Sequence, residues 1–193
     1  MRQANVLIVD DDPIVRLDLK TQVKAIGHTV AGEADSGSQA LTLARNLRPD
    51  LVLLDIVLPH LSGIEVARTL ALERVAPVVI FTGGPTSELA AQAYAAGVMG
   101  FISKPFRGAD LGPIISIAIA RFAEMMALEN EVRSLNARME ARRLVGRAKA
   151  ILMEKQGLVE RDAFRRIQAQ SLALGKPVHE IAQAIITASE LSA

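Results

Sequence analysis

Five short apolar runs, each followed by a stretch of helical periodicity, constrain this chain more than any other feature. The runs are residues 4–9, 29–32, 51–54, 78–81 and 98–102. Apolar runs this short, without polar alternation, suit strands buried on both faces. Pro13 opens the first helical pattern, with apolar Ile14, Leu17, Val23 and Ile26, and Gly27 closes it. Proline fits a first helical turn because its missing N–H would be unpaired there, and glycine suits a helix end. Ser36 or Ser38 caps a second helix running to Leu47, which Pro49–Asp50 stops. A turn over Pro59–Gly63 leads to a helix through about Leu72, and Thr86 or Ser87 caps a helix to Ala96, ended by Gly97. A fifth helix starts near Ala109.

Repeated strand–helix alternation predicts an α/β fold, a flavodoxin-like doubly wound five-stranded parallel sheet of order 2-1-3-4-5. Right-handed crossovers place helices on both faces. Ligands of such sheets bind at the carboxyl edge, so the residues just past each strand matter most. They are Asp10, Asp11 and Asp12 after the first strand, and Asp55 at the end of the third. Thr82, with Gly83 and Gly84, follows the fourth, and Lys104–Pro105 follows the fifth. In the predicted order these strands are neighbours, and their ends converge. Clustered carboxylates repel unless a cation neutralises them. Hard oxygen donors with room for water suit Mg²⁺. A carboxylate beside bound Mg²⁺ can attack phosphorus and become an aspartyl phosphate. Mg²⁺, the Lys104 ammonium and the Thr82 hydroxyl would then neutralise the phosphoryl oxygens.

Beyond Pro113 the pattern changes, with no Gly or Pro until Gly157 except Gly146. Ala118, Met125, Val132 and Met139 are seven apart, with Leu128 and Leu135 at the complementary position. That is a short heptad seam, bounded in register by Arg121 and Arg142. It predicts either a coiled coil pairing two chains or a helix folded back on its own domain. Gly157 ends the segment. A helix over about 161–174 follows, with Ala163, Phe164, Ile167, Ser171 and Leu172 on one side. After the Gly175–Lys176–Pro177 break, a last helix over 178–191 turns Ile181, Ala182, Ile185 and Ile186 inward. The domains expected are 1–120, a helical coiled-coil linker over 114–142, and a three-helix bundle over 141–193. Residues 1–111 carry 10 Lys/Arg against 12 Asp/Glu, and residues 112–193 carry 12 against 9. Eight bases against three acids crowd residues 141–166.

Composition removes several alternatives. The chain has no Cys, which excludes disulfides, thiolate metal sites and cysteine nucleophiles. Aromatics are 3%, too few for base stacking to be its main business. His28, His60 and His179 have no partners at metal or triad spacing and read as surface or loop residues. The first apolar run is too short for a signal peptide, and no stretch reaches the ~18–20 apolar residues of a membrane span. A soluble, cytoplasmic protein without membrane partners is expected.

The segments LIVDDD, LVLLDIVLP, VVIFTGG and GFISKPF resemble the four signature strand ends of bacterial receiver domains, over about residues 4–120. The resemblance implies that Asp55 accepts a phosphoryl group from a sensor histidine kinase, and that the chain is not an enzyme in its own right. It implies Mg²⁺ ligation by Asp10, Asp11, Asp55 and the Val57 carbonyl, with Lys104 and Thr82 on the phosphoryl group. Phe101 falls at the family's aromatic switch position. Gly83 departs from the family's usual Ala and loosens the loop that Thr82 must pull. Residues 141–188 resemble the ANTAR module, an RNA-binding domain of transcription antiterminators. The resemblance is carried by Ala148, Lys149, Leu152 and Met153, by Gly157 and Leu158, by Ala163, Phe164 and Ile167, and by Ile181, Ala182, Ala184 and Ile185. Val159 departs from the Ser or Thr that often caps its second helix. This resemblance implies RNA hairpins as partners, and the heptad seam predicts a homodimer through the fifth helix and coiled coil. Arg143, Arg147, Lys149, Arg165 and Arg166 are the expected RNA contacts; a merely solvated basic face is the alternative. Two other classes compete: a DNA-binding or protein-interaction regulator, and a flavodoxin-like enzyme. The loop DDDPIV lacks the Gly-rich phosphate cradle that the enzyme would favour.

Overall fold

The structure is a computed structural model describing residues 3–84 and 86–191. The chain divides into two compact units, Met1–Met126 and Ala127–Ala193.

The first unit is a five-stranded parallel sheet of order β2-β1-β3-β4-β5. Its strands are β1 (Asn5–Val9), β2 (Thr29–Ala34), β3 (Leu51–Asp55), β4 (Val78–Thr82) and β5 (Gly100–Ser103). Between them run α1 (Pro13–Ala25), α2 (Gly37–Leu47), α3 (Gly63–Leu72) and α4 (Ser87–Ala95). Every residue of β3 and β4 is buried, as strands covered on both faces require. Two hydrophobic clusters fill the two faces. Leu7, Val52, Leu54 and Ile80 meet α2 and α3 on one. Ile8, Leu53, Val79 and Phe81 meet α1 and the helix that follows β5 on the other.

The helix ends follow local chemistry. The Asp12 side chain accepts from the Ile14 N–H at the start of α1. Ser62 and Glu65 form a reciprocal capping box on α3. Two expectations need correction. On α1 the buried residues are Leu19 and Val23, with Val15 and Ile26 packed beside them, whereas Ile14 and Leu17 are 76% and 64% exposed. Val23 and Ile26 thus face the core as expected, whereas Ile14 and Leu17 lie on a neighbouring stripe and Val15 and Leu19 take the inner one. His28 is buried, not a surface residue: its Nδ1 accepts the Ala4 N–H at 3.2 Å. His60 and His179 are exposed.

One helix, α5 (Gly108–Gln156), leaves the first unit and runs into the second. Leu111, Ile115 and Ala118 are fully buried against the sheet. Ala118 therefore serves the core of its own unit and not an intermolecular seam. An 18-residue window of α5 has a mean hydropathy of 1.6, long and apolar enough by composition alone to cross a membrane, although charged residues such as Arg121 and Glu124 interrupt its apolar run.

In the second unit the end of α5 packs with α6 (Glu160–Leu174) and α7 (Val178–Glu190). The shared core is Ala148, Leu152, Ala163, Ile167, Ile181, Ala182 and Ile186. Small residues at 148, 163 and 182 let the helices approach closely. Leu172, expected inward, is 84% exposed, and Phe164 lies outside this core. Gly157 and Gly175 adopt φ values of 65° and 62°, the left-handed conformation that lets a chain leave a helix.

Candidate functional site

The three consecutive aspartates after β1 divide into three roles. Asp12 caps α1. Asp10 is 1% exposed; its Oδ1 accepts the Asp12 N–H at 2.8 Å, and its Oδ2 lies 3.0 Å from the Lys104 ammonium. Asp11 remains exposed. The Arg16 guanidinium donates to the backbone carbonyls of Asp10 at 2.6 Å and Asp11 at 3.2 Å, which ties the acidic loop to α1.

β3 delivers Asp55 to the same place. Its Oδ1 accepts from Lys104 Nζ at 2.9 Å and its Oδ2 from the Val57 N–H at 3.0 Å. Lys104 follows β5, where its N–H donates to the Thr82 carbonyl at 2.7 Å. Its ammonium sits 4.7 Å from the centroid of the Phe81 ring. The Lys104–Pro105 peptide is cis. Thr82 ends β4, is buried, and accepts the Gly84 N–H on its hydroxyl at 3.4 Å. Phe101 pairs with Ile80 across β4 and β5 and packs, half-buried, on the cluster holding α3 and α4.

The electrostatics reflect crowding. Burial raises the Asp55 carboxyl above its ordinary value, Lys104 opposes that shift, and Asp10 adds to it by repulsion. Burial alone would lower the Lys104 ammonium, but hydrogen bonds and charge from Asp55 and Asp10 overcome it and the net shift is upward. One ammonium thus holds two carboxylates.

The structure therefore brings together Asp10, Asp55 and Lys104, with Thr82 at the adjoining strand end. It does not bring Asp11 into this contact. Among the described residues no group of three or more acidic or histidine side chains is disposed to hold a metal. The donor chemistry still fits a hard cation: the two buried carboxylates of Asp10 and Asp55 share the ammonium of Lys104. Sequence reasoning missed two residues. Arg16 carried no signal beyond being a helix residue. Gly63 read only as the end of a turn, yet a Cβ there would run into the Asp55 carbonyl oxygen and lie 2.8 Å from Ile56 Cα. The backbone beside Asp55 thus requires glycine at 63.

Among the described residues, the expected RNA contacts separate into those beside an acid and those simply exposed. Arg147 bonds Glu190 at 2.8 Å, Lys149 bonds Glu160 at 2.5 Å, and Arg143 lies 3.6 Å from Glu140. Arg165 and Arg166 are exposed on α6.

Comparison with known proteins agrees with these two units. The response regulator receiver domain family matches residues 6–116, and the ANTAR domain family matches residues 133–186. The transcriptional regulatory protein PdtaR of Mycobacterium tuberculosis is 39% identical over 181 residues, covering 94% of this chain and 88% of PdtaR. The DNA-binding response regulator MtrA of Mycolicibacterium smegmatis is 40% identical over 111 residues, covering 58% of this chain and 48% of MtrA. Among solved structures, the signal receiver domain of a modulated diguanylate cyclase from Desulfovibrio desulfuricans superposes with a TM-score of 0.60 at 31% identity, over 64% of this chain and 99% of that one. A LuxR-family two-component response regulator from Aurantimonas gives a TM-score of 0.58 at 31% identity, over 67% and 99%. The PdtaR match spans both units, whereas the MtrA match covers little more than half of the chain. The chain belongs to the response regulators, with an N-terminal receiver domain and a C-terminal ANTAR domain.

Proposed function

We propose that this protein is a phosphorylation-gated RNA-binding antiterminator. The observation that carries the receiver half is the Asp10–Lys104–Asp55 bridge, with contacts of 3.0 and 2.9 Å at the carboxyl edge of the sheet. Asp55 takes a phosphoryl group from a phosphohistidine on a sensor kinase: the carboxylate oxygen bonds to phosphorus as the phosphorus–nitrogen bond breaks. Asp10, Asp11, Asp55 and the Val57 carbonyl would hold Mg²⁺, which would supply charge neutralisation when bound. Lys104 then exchanges its bond to Asp55 for a phosphoryl oxygen, and the Thr82 hydroxyl donates to another. Thr82 moves towards the phosphoryl group and leaves space that Phe101 fills. Gly83 and Gly84, whose added Cβ atoms would meet nothing within 4 Å, let that loop follow.

The output is argued from the second unit. Leu128, Val132, Leu135 and Met139 are 63%, 55%, 50% and 69% exposed on α5, an apolar stripe with heptad spacing left uncovered among the described residues. A second copy covers it. Pairing two ANTAR modules lets each hold one hairpin of a tandem-hairpin RNA, and the second hairpin binds at high effective concentration. Holding the hairpins keeps a terminator from forming. A mobility shift with tandem-hairpin leader RNA, with and without acetyl phosphate, tests this. Retention is expected to rise with the phosphodonor, and no retention in either state rules the proposal out. Competition by duplex DNA as strong as by hairpin RNA would favour a DNA-binding regulator instead.

A further inference from the structure

The second unit contains one aromatic residue, Phe164. Its neighbours on α6, Ala163 and Ile167, are fully buried, but Phe164 is 38% exposed and lies outside the core. It lines an open concavity of about 460 Å³ instead, within the roughly 300–1,000 Å³ of ligand clefts. Val145 and Val178 extend the apolar floor. Arg142, Lys149 and His179 are the ionisable residues of the lining, and none of the lining residues is acidic.

Two details of the backbone point the same way. Gly146 sits inside α5 between Arg142 and Lys149, where glycine is a poor helix former. A Cβ at 146 would meet nothing within 4 Å, so packing of the chain does not call for glycine there. The missing side chain leaves the floor of the concavity open. The lining residues Val178 and His179 begin α7, which has no side-chain cap, and the first-turn N–H groups of a helix favour an anion.

We propose that this concavity seats one unpaired nucleobase of the bound RNA, stacked on Phe164, with its flanking phosphate held by Arg142, Lys149 and the first turn of α7. The idea rests on the RNA-binding reading above and narrows it to a loop base. A flat apolar ring with cations beside it matches what an unstacked base and its phosphate present, whereas bases inside a duplex offer no free face. Arg142 and His179 thereby join the contact set. Lys149 leaves Glu160, the acid that holds it at 2.5 Å, when phosphate arrives.

The test uses full-length protein and tandem-hairpin RNA carrying 2-aminopurine at successive loop positions. The fluorescence at one position is expected to be quenched on binding. Phe164→Leu removes that quench and weakens binding roughly 10- to 100-fold, and Phe164→Tyr retains both. Gly146→Leu fills the floor and weakens binding similarly, while its melting temperature stays at or above that of the wild type, which separates blockage from misfolding. If the wild type binds RNA and both leucine variants bind as tightly with the quench intact, the base seat is overturned and the concavity serves another partner. If the wild type binds no RNA with or without phosphodonor, the RNA-binding reading falls and the base seat falls with it.

Discussion

At the residue scale the receiver site is a problem of too little positive charge. Among the described residues Lys104 is the one cation bridged to the two buried carboxylates. Lys104→Met leaves both without a cation, and is expected to destabilise the first unit by about 2 kcal/mol. Mg²⁺ would restore part of that loss, so thermal melting of the variant with and without Mg²⁺ checks the assignment. A melting temperature indifferent to Mg²⁺ would count against a cation site. The pH dependence has a definite sign. Folding raises the Asp55 carboxyl above its ordinary 3.8, chiefly by burial, so the folded chain binds that proton more tightly than the unfolded one. Ionised Asp55 therefore costs stability at neutral pH, and the cost fades as pH falls through the raised value towards 3.8. Asp55→Asn should unfold at higher urea than wild type at pH 7, with the advantage shrinking towards pH 4. An unchanged or lower urea midpoint at neutral pH would contradict it.

At the scale of elements, two positions report how the backbone serves the site. Gly63→Ala pushes a methyl group against the end of β3, at an expected cost of roughly 1–3 kcal/mol and slower labelling of Asp55 by acetyl phosphate. Unchanged stability by urea titration would show that the turn can yield. Val159 precedes α6 without a side-chain cap, so Val159→Ser should stabilise the second unit by about 1 kcal/mol, read by thermal melting. These elements were legible in the sequence to different degrees. The strands followed from apolar run length, as strands buried on both faces require, and their order from the repeated strand–helix alternation. The strand-end residues followed from that order. What periodicity could not resolve was which of two adjacent stripes on α1 faces the sheet, since Ile14 and Leu17 are as apolar as Val15 and Leu19. Burial of His28 was equally hidden, because its partner is a backbone N–H 24 residues away. The close approach of Gly63 to Asp55 depends on a turn path that residue types do not encode. In the output unit Phe164 and Leu172 fell on the predicted inner side, but the small residues at 148, 163 and 182 close the core without them.

At the scale of the whole molecule, the helix α5 (Gly108–Gln156) belongs to both units, and its exposed stripe is the expected route from receiver to output. Leu128→Lys with Leu135→Lys should abolish dimers in sedimentation while leaving Asp55 labelling intact, because neither side chain is buried. Dimers persisting in that variant would place the interface elsewhere. The central claim is that a phosphoryl group on Asp55 lets the ANTAR unit hold RNA and keep a terminator from forming. Single-round transcription of a leader with tandem hairpins ahead of a terminator measures it directly. Read-through should rise when wild-type protein and a phosphodonor are both present, and stay at background with Asp55→Asn. Read-through that is equal with the two proteins, or unchanged by demonstrably phosphorylated wild type, would contradict the account.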